Sequence, residues 1–165
     1  MATPCPAASL AGRVLQWAGL SFALNLAWEI AQLPLYAIFR TEPLGRIAYD
    51  VIHCTVGDAL ISVFSQLVAA TLTRRADWPL KRPWVGGAIT ILSGLSYTAY
   101  SEWHNVYQAH AWSYSESMPL VFGIGASPLL QWLVVPAALV VIVRMRRRRR
   151  CIESEPNHNR KGELR

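Results

Sequence analysis

Three ionisable side chains occur close together in an otherwise apolar part of the chain. Residues 49–58 read YDVIHCTVGD and contain Asp50, His53 and Asp58. Ionisable groups are costly inside a lipid bilayer, so those in a membrane-spanning segment mark functional sites by default. Carboxylates and an imidazole can exchange protons or hold a cation, and either role predicts a polar site inside the membrane.

The charge balance of the apolar segments supports the same prediction. Glu29, Asp50, Asp58 and Glu102 lie in or at the edge of segments that contain no Lys or Arg. A buried carboxylate without a cationic partner binds a proton rather than remaining ionised. We therefore expect this site to hold protons, a bound cation, or both.

The candidate site has a catalytic core and a surrounding set of polar and aromatic residues. The core is predicted at Glu29, His53 and Asp58, with second-tier members at Asp50, Glu102 and His104. Residues that contact the substrate or pack the helices around it are predicted at Asn25, Trp28, Gln32, Tyr97, Tyr100 and Gln131. Asn25, Glu29 and Gln32 recur at three- and four-residue steps, which puts them on one face of a helix.

These residues leave three classes of function open. The first is an enzyme acting on a lipid or isoprenoid-like substrate, by acid–base chemistry or with a divalent metal. Ligands for that metal would come from Glu29, Asp50, His53, Glu102 and His104. The second is a proton- or cation-coupled transporter or channel component, which would need a homo-oligomer because four helices are few for a monomeric transporter. The third is a non-catalytic assembly protein whose polar groups hydrogen-bond its helices together.

Long apolar blocks predict the elements that position these side chains. The chain is 53% hydrophobic and 16% charged, and the blocks cover about residues 14–38, 48–72, 84–103 and 119–143. About 20 apolar residues are enough for a helix to cross the hydrocarbon core. The predicted fold is therefore an all-α integral membrane protein, a bundle of four transmembrane helices over residues 13–145.

The distribution of basic residues predicts the orientation of this bundle. Residues 73–83 carry four Lys or Arg, whereas residues 103–118 carry none. Because cytoplasmic loops are enriched in Lys and Arg, the N- and C-termini are predicted to be cytoplasmic, in a bacterial inner membrane. The acidic site then lies near the outer leaflet.

Both ends of the chain are predicted to extend beyond the bundle. Residues 1–12 are predicted to be a flexible tail, and residues 146–165 a basic and then polar, disordered tail. A basic cluster directly after an apolar span is typical of a cytoplasmic anchor, so anionic lipid head groups rather than nucleic acid are the predicted partners. The arginines concerned are Arg144, Arg146, Arg147, Arg148, Arg149 and Arg150.

Small and aromatic residues predict how the helices pack. Gly86, Thr90, Gly94 and Thr98 form a small-residue stripe that lets another helix come close, and Gly57 is predicted to do the same. The membrane interface is predicted to be marked by Tyr36, Trp84, Trp103, Tyr107, Trp112 and Tyr114.

Overall fold

The structure is a computed structural model that describes residues 9–153 and is predominantly helical. Most of the two predicted tails, residues 1–8 and 154–165, lies outside the described residues. The long helices are α1 (Leu10–Gln32), α3 (Leu44–Thr73), α5 (Pro83–Trp103) and α6 (Ala126–Glu153). The short elements are a 3-10 turn (Leu33–Leu35), α2 (Ile38–Thr41), α4 (Trp78–Lys81), a π-helical turn (His104–Gln108), and strands β1 (Leu120–Val121) and β2 (Ile124–Gly125).

The four long helices form a bundle in which α1 and α5 each pack against α3 and α6. Trp17, near the start of α1, donates a hydrogen bond of 3.0 Å to Ser62, in the second half of α3. Gln32, the last residue of α1, accepts a hydrogen bond of 2.8 Å from Ser127 at the start of α6. Helix α1 therefore runs antiparallel to both neighbours, and its two ends lie at opposite ends of the bundle.

The interior of the bundle contains many polar residues beside an apolar cluster around Trp17, Trp78 and Leu139, and its outer surface exposes large apolar side chains. The buried polar residues of the long helices include Ser21, Asn25, Gln32, Thr55, Ser62, Ser65, Gln66, Thr90, Thr98, Glu102 and Gln131. The large apolar side chains that are most exposed on these helices include Leu15, Leu44, Leu60, Phe64, Trp84 and Leu92. Two helical segments of the described chain, Leu44–Thr73 and Ala126–Ile152, are long and apolar enough to cross a membrane.

The stripe of small residues on α5 packs closely, as its spacing predicts. Gly86, Thr90, Gly94 and Thr98 are all buried. A Cβ atom on Gly86 would overlap the indole of Trp78, and one on Gly94 would overlap the indole of Trp132 on α6. Two tryptophans therefore fill space that only glycine leaves free.

Gly94→Ala should destabilise the bundle, because its methyl group would displace the buried Trp132 ring. Overpacking of this kind costs about 1–3 kcal/mol of unfolding free energy. Gly87→Ala is the control: its Cβ meets no heavy atom within 4 Å, and alanine favours the helix. Unfolding in detergent monitored by circular dichroism measures both variants. Equal stability of the two would contradict the packing described above.

A serine cap sets the start of helix α1, and a proline follows its end. Ser9 caps its start, accepting a 3.1 Å hydrogen bond on Oγ from the Gly12 amide, so residues predicted to be tail join the helix. The α-helix ends at Gln32, whereas the sequence predicts a kinked span continuing to residue 38. Pro34 has no amide hydrogen and lies in the 3-10 turn that follows.

The last predicted span differs from the structure at both ends. Its first residues form a β-hairpin in which Leu120 pairs with Gly125 and Val121 pairs with Ile124. Phe122 and Gly123 between them have φ values of 52° and 83°, the pair of positive values that a type I′ turn requires. At the other end α6 continues through the arginine run to Glu153, so residues 146–153 are helical where the sequence predicts a tail.

Candidate functional site

A cavity of about 590 Å³ lies among the four long helices, at the end of the bundle away from the arginine run. We call it the acidic cavity. Predicted site residues on its wall are Glu29, Gln32, Asp50, His53, Asp58, Tyr97, Glu102 and Gln131. Its apolar lining includes Leu33, Ile38, Val51, Ile61 and Trp132. The volume suits a small molecule or one end of a lipid.

Two carboxyl groups meet at the centre of this wall. Glu29 of α1 and Asp58 of α3 both lie against the side-chain amide nitrogen of Gln131 on α6. The amide nitrogen of Gln131 donates to Asp58 Oδ2 at 2.8 Å and lies 3.4 Å from Glu29 Oε1. Three helices therefore bring two carboxyls and one amide to a single point, and no Lys or Arg of the described chain forms a salt bridge with either carboxyl.

Side-chain amides of neighbouring residues hydrogen-bond to this carboxyl pair and to each other. Gln131 Nε2 also donates to Asn25 Oδ1 at 2.9 Å, and Gln32 Nε2 donates to Glu29 Oε1 at 2.8 Å. Asn25 and Gln32 can reach these partners because they lie one helical turn on either side of Glu29 on α1. The stripe predicted from the sequence is therefore the element that fixes the position of Glu29.

Glu102 of α5 forms a second acidic centre on the same cavity wall. It is buried, and its carboxylate accepts hydrogen bonds from Tyr114 at 2.6 Å, Tyr36 at 3.3 Å and Trp112 at 3.5 Å. Burial and the hydrogen bond to Glu102 raise the pKa of Tyr114, so its hydroxyl stays a donor at neutral pH. The sequence predicts these aromatic residues to mark the membrane interface, and in the structure they also surround a carboxylate.

This cluster joins two loops that close the end of the cavity. The chain after α1 and the loop after α5 pair through Tyr36 and Tyr114, with backbone hydrogen bonds from Ala37 to Ser113 (3.0 Å) and from Ser115 to Leu35 (2.9 Å). Pro34 makes this pairing feasible, because ending α1 early leaves the next carbonyl groups free to accept. The loops thus cap the acidic cavity and hold the Glu102 donors in position.

The mouth of the cavity carries the other predicted ionisable residues. His53 is exposed and stacks on Tyr49 with ring centroids 5.8 Å apart. Asp50 accepts a 2.9 Å charged hydrogen bond from Arg46. Arg46 precedes the predicted second span of residues 48–72, but the structure includes it in the first turn of α3, where its four-residue spacing from Asp50 allows the pair.

Four predicted residues do not reach the cavity. Asn25 is buried behind Gln131, and Trp28 donates to Gln32 at 3.2 Å. Tyr100 and His104 are both exposed and stack on each other, with ring centroids 6.0 Å apart. These side chains therefore act in packing or at the surface of the bundle in this structure.

The predicted metal ligands do not converge. Among residues 9–153 there is no group of three or more His, Cys, Asp or Glu side chains arranged to hold a metal ion. His53 lies at the mouth, whereas Glu29 lies beside Asp58 and Glu102 is surrounded by aromatic donors. Metal-assisted chemistry therefore remains a prediction from the sequence.

Sequence reasoning missed three donors and misread one glycine. Tyr36, Trp112 and Tyr114 lie 66, 10 and 12 positions from Glu102, so no local spacing connects them to it. One sequence feature could have indicated these donors: the aromatic loop at residues 103–118 contains no Lys or Arg and directly follows Glu102. Gly57 was predicted to admit a neighbouring helix, but its Cβ position has no heavy atom within 4 Å and it lines the cavity.

No protein-family model, curated protein or solved structure matches this chain. The functional argument therefore depends on the geometry of the site.

Proposed function

We propose that the protein is an integral membrane protein in which all four long helices span a bilayer. Its apolar exterior supports this, because soluble proteins rarely expose contiguous apolar patches of more than a few hundred Å². The polar faces of α1 and α5 point inward, where they find partners in the bundle. Helices with hydrogen-bonded interiors and apolar exteriors suit a lipid environment.

The bundle is oriented with its basic end in the cytoplasm of a bacterial cell. Arg13, Lys81 and Arg144 line one pocket at that end, together with other members of the arginine run. The opposite end carries Arg46, which is paired with Asp50. Lys and Arg concentrate on the cytoplasmic side of inner-membrane proteins, so both termini are cytoplasmic.

Topology reporters test this orientation. A reporter fused after Arg75 should be active in the cytoplasm, and one fused after Ala109 should be active outside it. The loop at Arg75 belongs to the basic end, whereas Ala109 follows α5 on the side of the acidic cavity. The reverse pattern would place the acidic cavity in the inner leaflet and overturn the proposed orientation.

The function that we propose is acid–base chemistry on a lipid-like substrate in the acidic cavity. The observation that carries this proposal is the Glu29–Asp58 pair joined by Gln131. Two adjacent carboxyls with no cationic partner among the described residues repel each other when both are ionised, so one of them holds a proton that it can donate while the other can accept. A shared proton beside an open cavity is the arrangement that general acid–base catalysis needs.

The lining of the cavity supports a lipid-like substrate. Tyr49, His53 and Tyr97 line the cavity and are also exposed on the outer surface of α3 and α5. In a membrane this opening faces acyl chains, which gives an apolar molecule access to the cavity. Inside, Leu33, Ile61 and Trp132 would contact its hydrocarbon part, while Glu29 and Asp58 meet a polar functional group.

Untargeted lipid analysis tests this function without a known substrate. Membranes from cells expressing the wild type are compared with membranes expressing the Glu29→Gln/Asp58→Asn double variant at equal protein level. At least one lipid or isoprenoid species should be depleted and another enriched in the wild type alone. Identical lipid profiles, with the wild type folded and inserted, would count against the enzyme.

Proton- or cation-coupled transport is the second candidate, and the same carboxyl pair favours it. Carboxylates without Lys or Arg partners line ion and proton pathways in membrane proteins. Against it, two paired loops line the outer end of the cavity. Proteoliposomes with an internal pH indicator separate the two candidates: proton flux without lipid turnover would support transport, and a homo-oligomer would then be required.

A further inference from the structure

A second cavity, of about 420 Å³, lies at the basic end of the bundle. We call it the basic pocket. Its cationic wall comes from three helices: Arg13 of α1, Lys81 of α4, and Arg144 and Arg148 of α6. These positions span more than 130 residues of sequence, so the fold, and not one local charge run, brings the cations together.

Cations outnumber carboxylates among the described residues that line the basic pocket. The one carboxylate among its described lining residues is Asp77, which is paired with Arg75 at 3.0 Å. Within residues 9–153, Arg13, Lys81 and Arg148 form no salt bridge with an Asp or Glu. Converging like charges repel one another, and a bound anion relieves that repulsion.

Two buried polar atoms at the pocket also lack partners in the described part of the chain. They are Nε of Arg13, a donor, and Oε1 of Gln66, an acceptor. Gln66 is only 2% exposed and lines the pocket. Leaving such groups unsatisfied is unfavourable, and a small side-chain shift that opens them to the pocket would let a ligand supply one acceptor and one donor.

A phosphate group that carries a hydroxyl-bearing substituent meets both requirements. Its oxygens accept from Arg13 and from Arg144, whose guanidinium is held at 3.4 Å from the Pro79 carbonyl. Its hydroxyl group would donate to Gln66. Exposed apolar residues near this end, Leu15 on α1 and Leu72 on α3, offer a surface along which acyl chains can lie.

We propose that the basic pocket binds the head group of an anionic phospholipid that carries a free hydroxyl, such as phosphatidylglycerol. This site is separate from the acidic cavity and does not depend on the chemistry at Glu29 and Asp58. It requires the phosphate in the pocket formed by the helices, in addition to any diffuse attraction between the arginine run and the membrane surface.

Lipid retention in native mass spectrometry tests the pocket. The full chain is released from phosphatidylcholine nanodiscs that contain phosphatidylglycerol, and bound phosphatidylglycerol is counted. The Arg13→Gln/Lys81→Gln variant should bind phosphatidylglycerol with a Kd at least roughly tenfold higher, because each lost charge near the membrane surface weakens binding by about 1 kcal/mol. The matched control, Arg146→Gln/Arg149→Gln, removes two charges from the run at residues outside the pocket and should weaken binding much less, through the diffuse attraction alone. Equal losses in the two variants would overturn the proposal.

Gln66→Leu tests the hydroxyl contact. This variant should bind phosphatidylglycerol roughly fivefold more weakly, the effect of one lost hydrogen bond, and phosphatidic acid as tightly as the wild type does. Equal weakening for both lipids would refute the contact between Gln66 and the head group. Because it keeps every charge, Gln66→Leu separates hydrogen bonding from electrostatics.

Soluble phosphates distinguish a membrane lipid from a soluble phosphate ester as the ligand of the basic pocket. Thermal unfolding in neutral detergent is measured with inorganic phosphate, with glycerol 3-phosphate and with short-chain phosphatidylglycerol. Stabilisation by the lipid at lower concentration than by either soluble phosphate supports a membrane ligand. Equal stabilisation by glycerol 3-phosphate would replace the lipid by a soluble phosphate ester, and no stabilisation by any of them would overturn the site.

Discussion

We expect Asp58→Asn to slow turnover of the lipid-like substrate by roughly 10²–10⁴-fold, the usual contribution of a general acid or base. Asparagine keeps the shape of Asp58 and can still accept the 2.8 Å hydrogen bond from Gln131, but it cannot exchange a proton. Glu29→Gln should cause a loss of the same order. Because the two carboxyls act as one unit, the double variant should be little worse than either single variant. Turnover of the species found by lipid analysis measures all three.

Asp50→Asn is the matched control for this prediction. Asp50 lines the same cavity, but it lies at the mouth and is paired with Arg46 at 2.9 Å. A partly exposed pair of this kind contributes little to stability or to chemistry deeper in the cavity. Asp50→Asn should therefore leave turnover nearly unchanged. If it lowers turnover as much as Asp58→Asn does, the chemistry belongs to the mouth of the cavity.

Gly57→Leu should abolish substrate access to the carboxyl pair while leaving the protein folded. Gly57 precedes Asp58, lines the acidic cavity, and has no heavy atom within 4 Å of its Cβ position. A leucine side chain therefore starts from free space at its Cβ atom and would extend into the cavity that Gly57 lines. Displacing a substrate by about 1 Å can cost roughly 10²-fold in rate, and we expect at least that loss. Turnover and the lipids that co-purify with the variant are measured together.

Gly87→Leu is the control for Gly57→Leu. Gly87 lies in a long helix, has the same free space at its Cβ position, and does not line the acidic cavity. Both variants should have similar thermal stability, and only Gly57→Leu should lose activity. Full activity of Gly57→Leu would mean that the substrate does not occupy this part of the cavity.

The periodic spacing of residues on the helices made part of the site predictable. The steps that join Asn25, Glu29 and Gln32 put them on one face of α1, and the structure turns that face inward towards Gln131. The Gly86–Thr90–Gly94–Thr98 stripe was recognisable in the same way, because small residues four apart leave room for a large neighbour. In both cases the information is contained within a single helix.

Contacts between distant segments could not be read from the sequence. Tyr36 and Tyr114 converge on Glu102 only because two loops pair across the end of the bundle. The β-hairpin at residues 120–125 depends on a positive φ at Phe122. A phenylalanine in the sequence does not predict that conformation. Nor does a glycine reveal whether it faces a helix or a cavity, which is why Gly57 was misread.

Infrared spectroscopy of the purified protein in lipid at neutral pH tests the central claim most directly. Protonated carboxylic acids absorb in a carbonyl-stretching region separate from that of ionised carboxylates. The account predicts a band from a protonated acid that is lost or weakened in the Glu29→Gln/Asp58→Asn double variant, which has no carboxyl left at the pair. The band should persist in Glu102→Gln, because Glu102 is surrounded by three hydrogen-bond donors. Absence of the band in the wild type, or its loss only in Glu102→Gln, would contradict a shared proton at the Glu29–Asp58 pair.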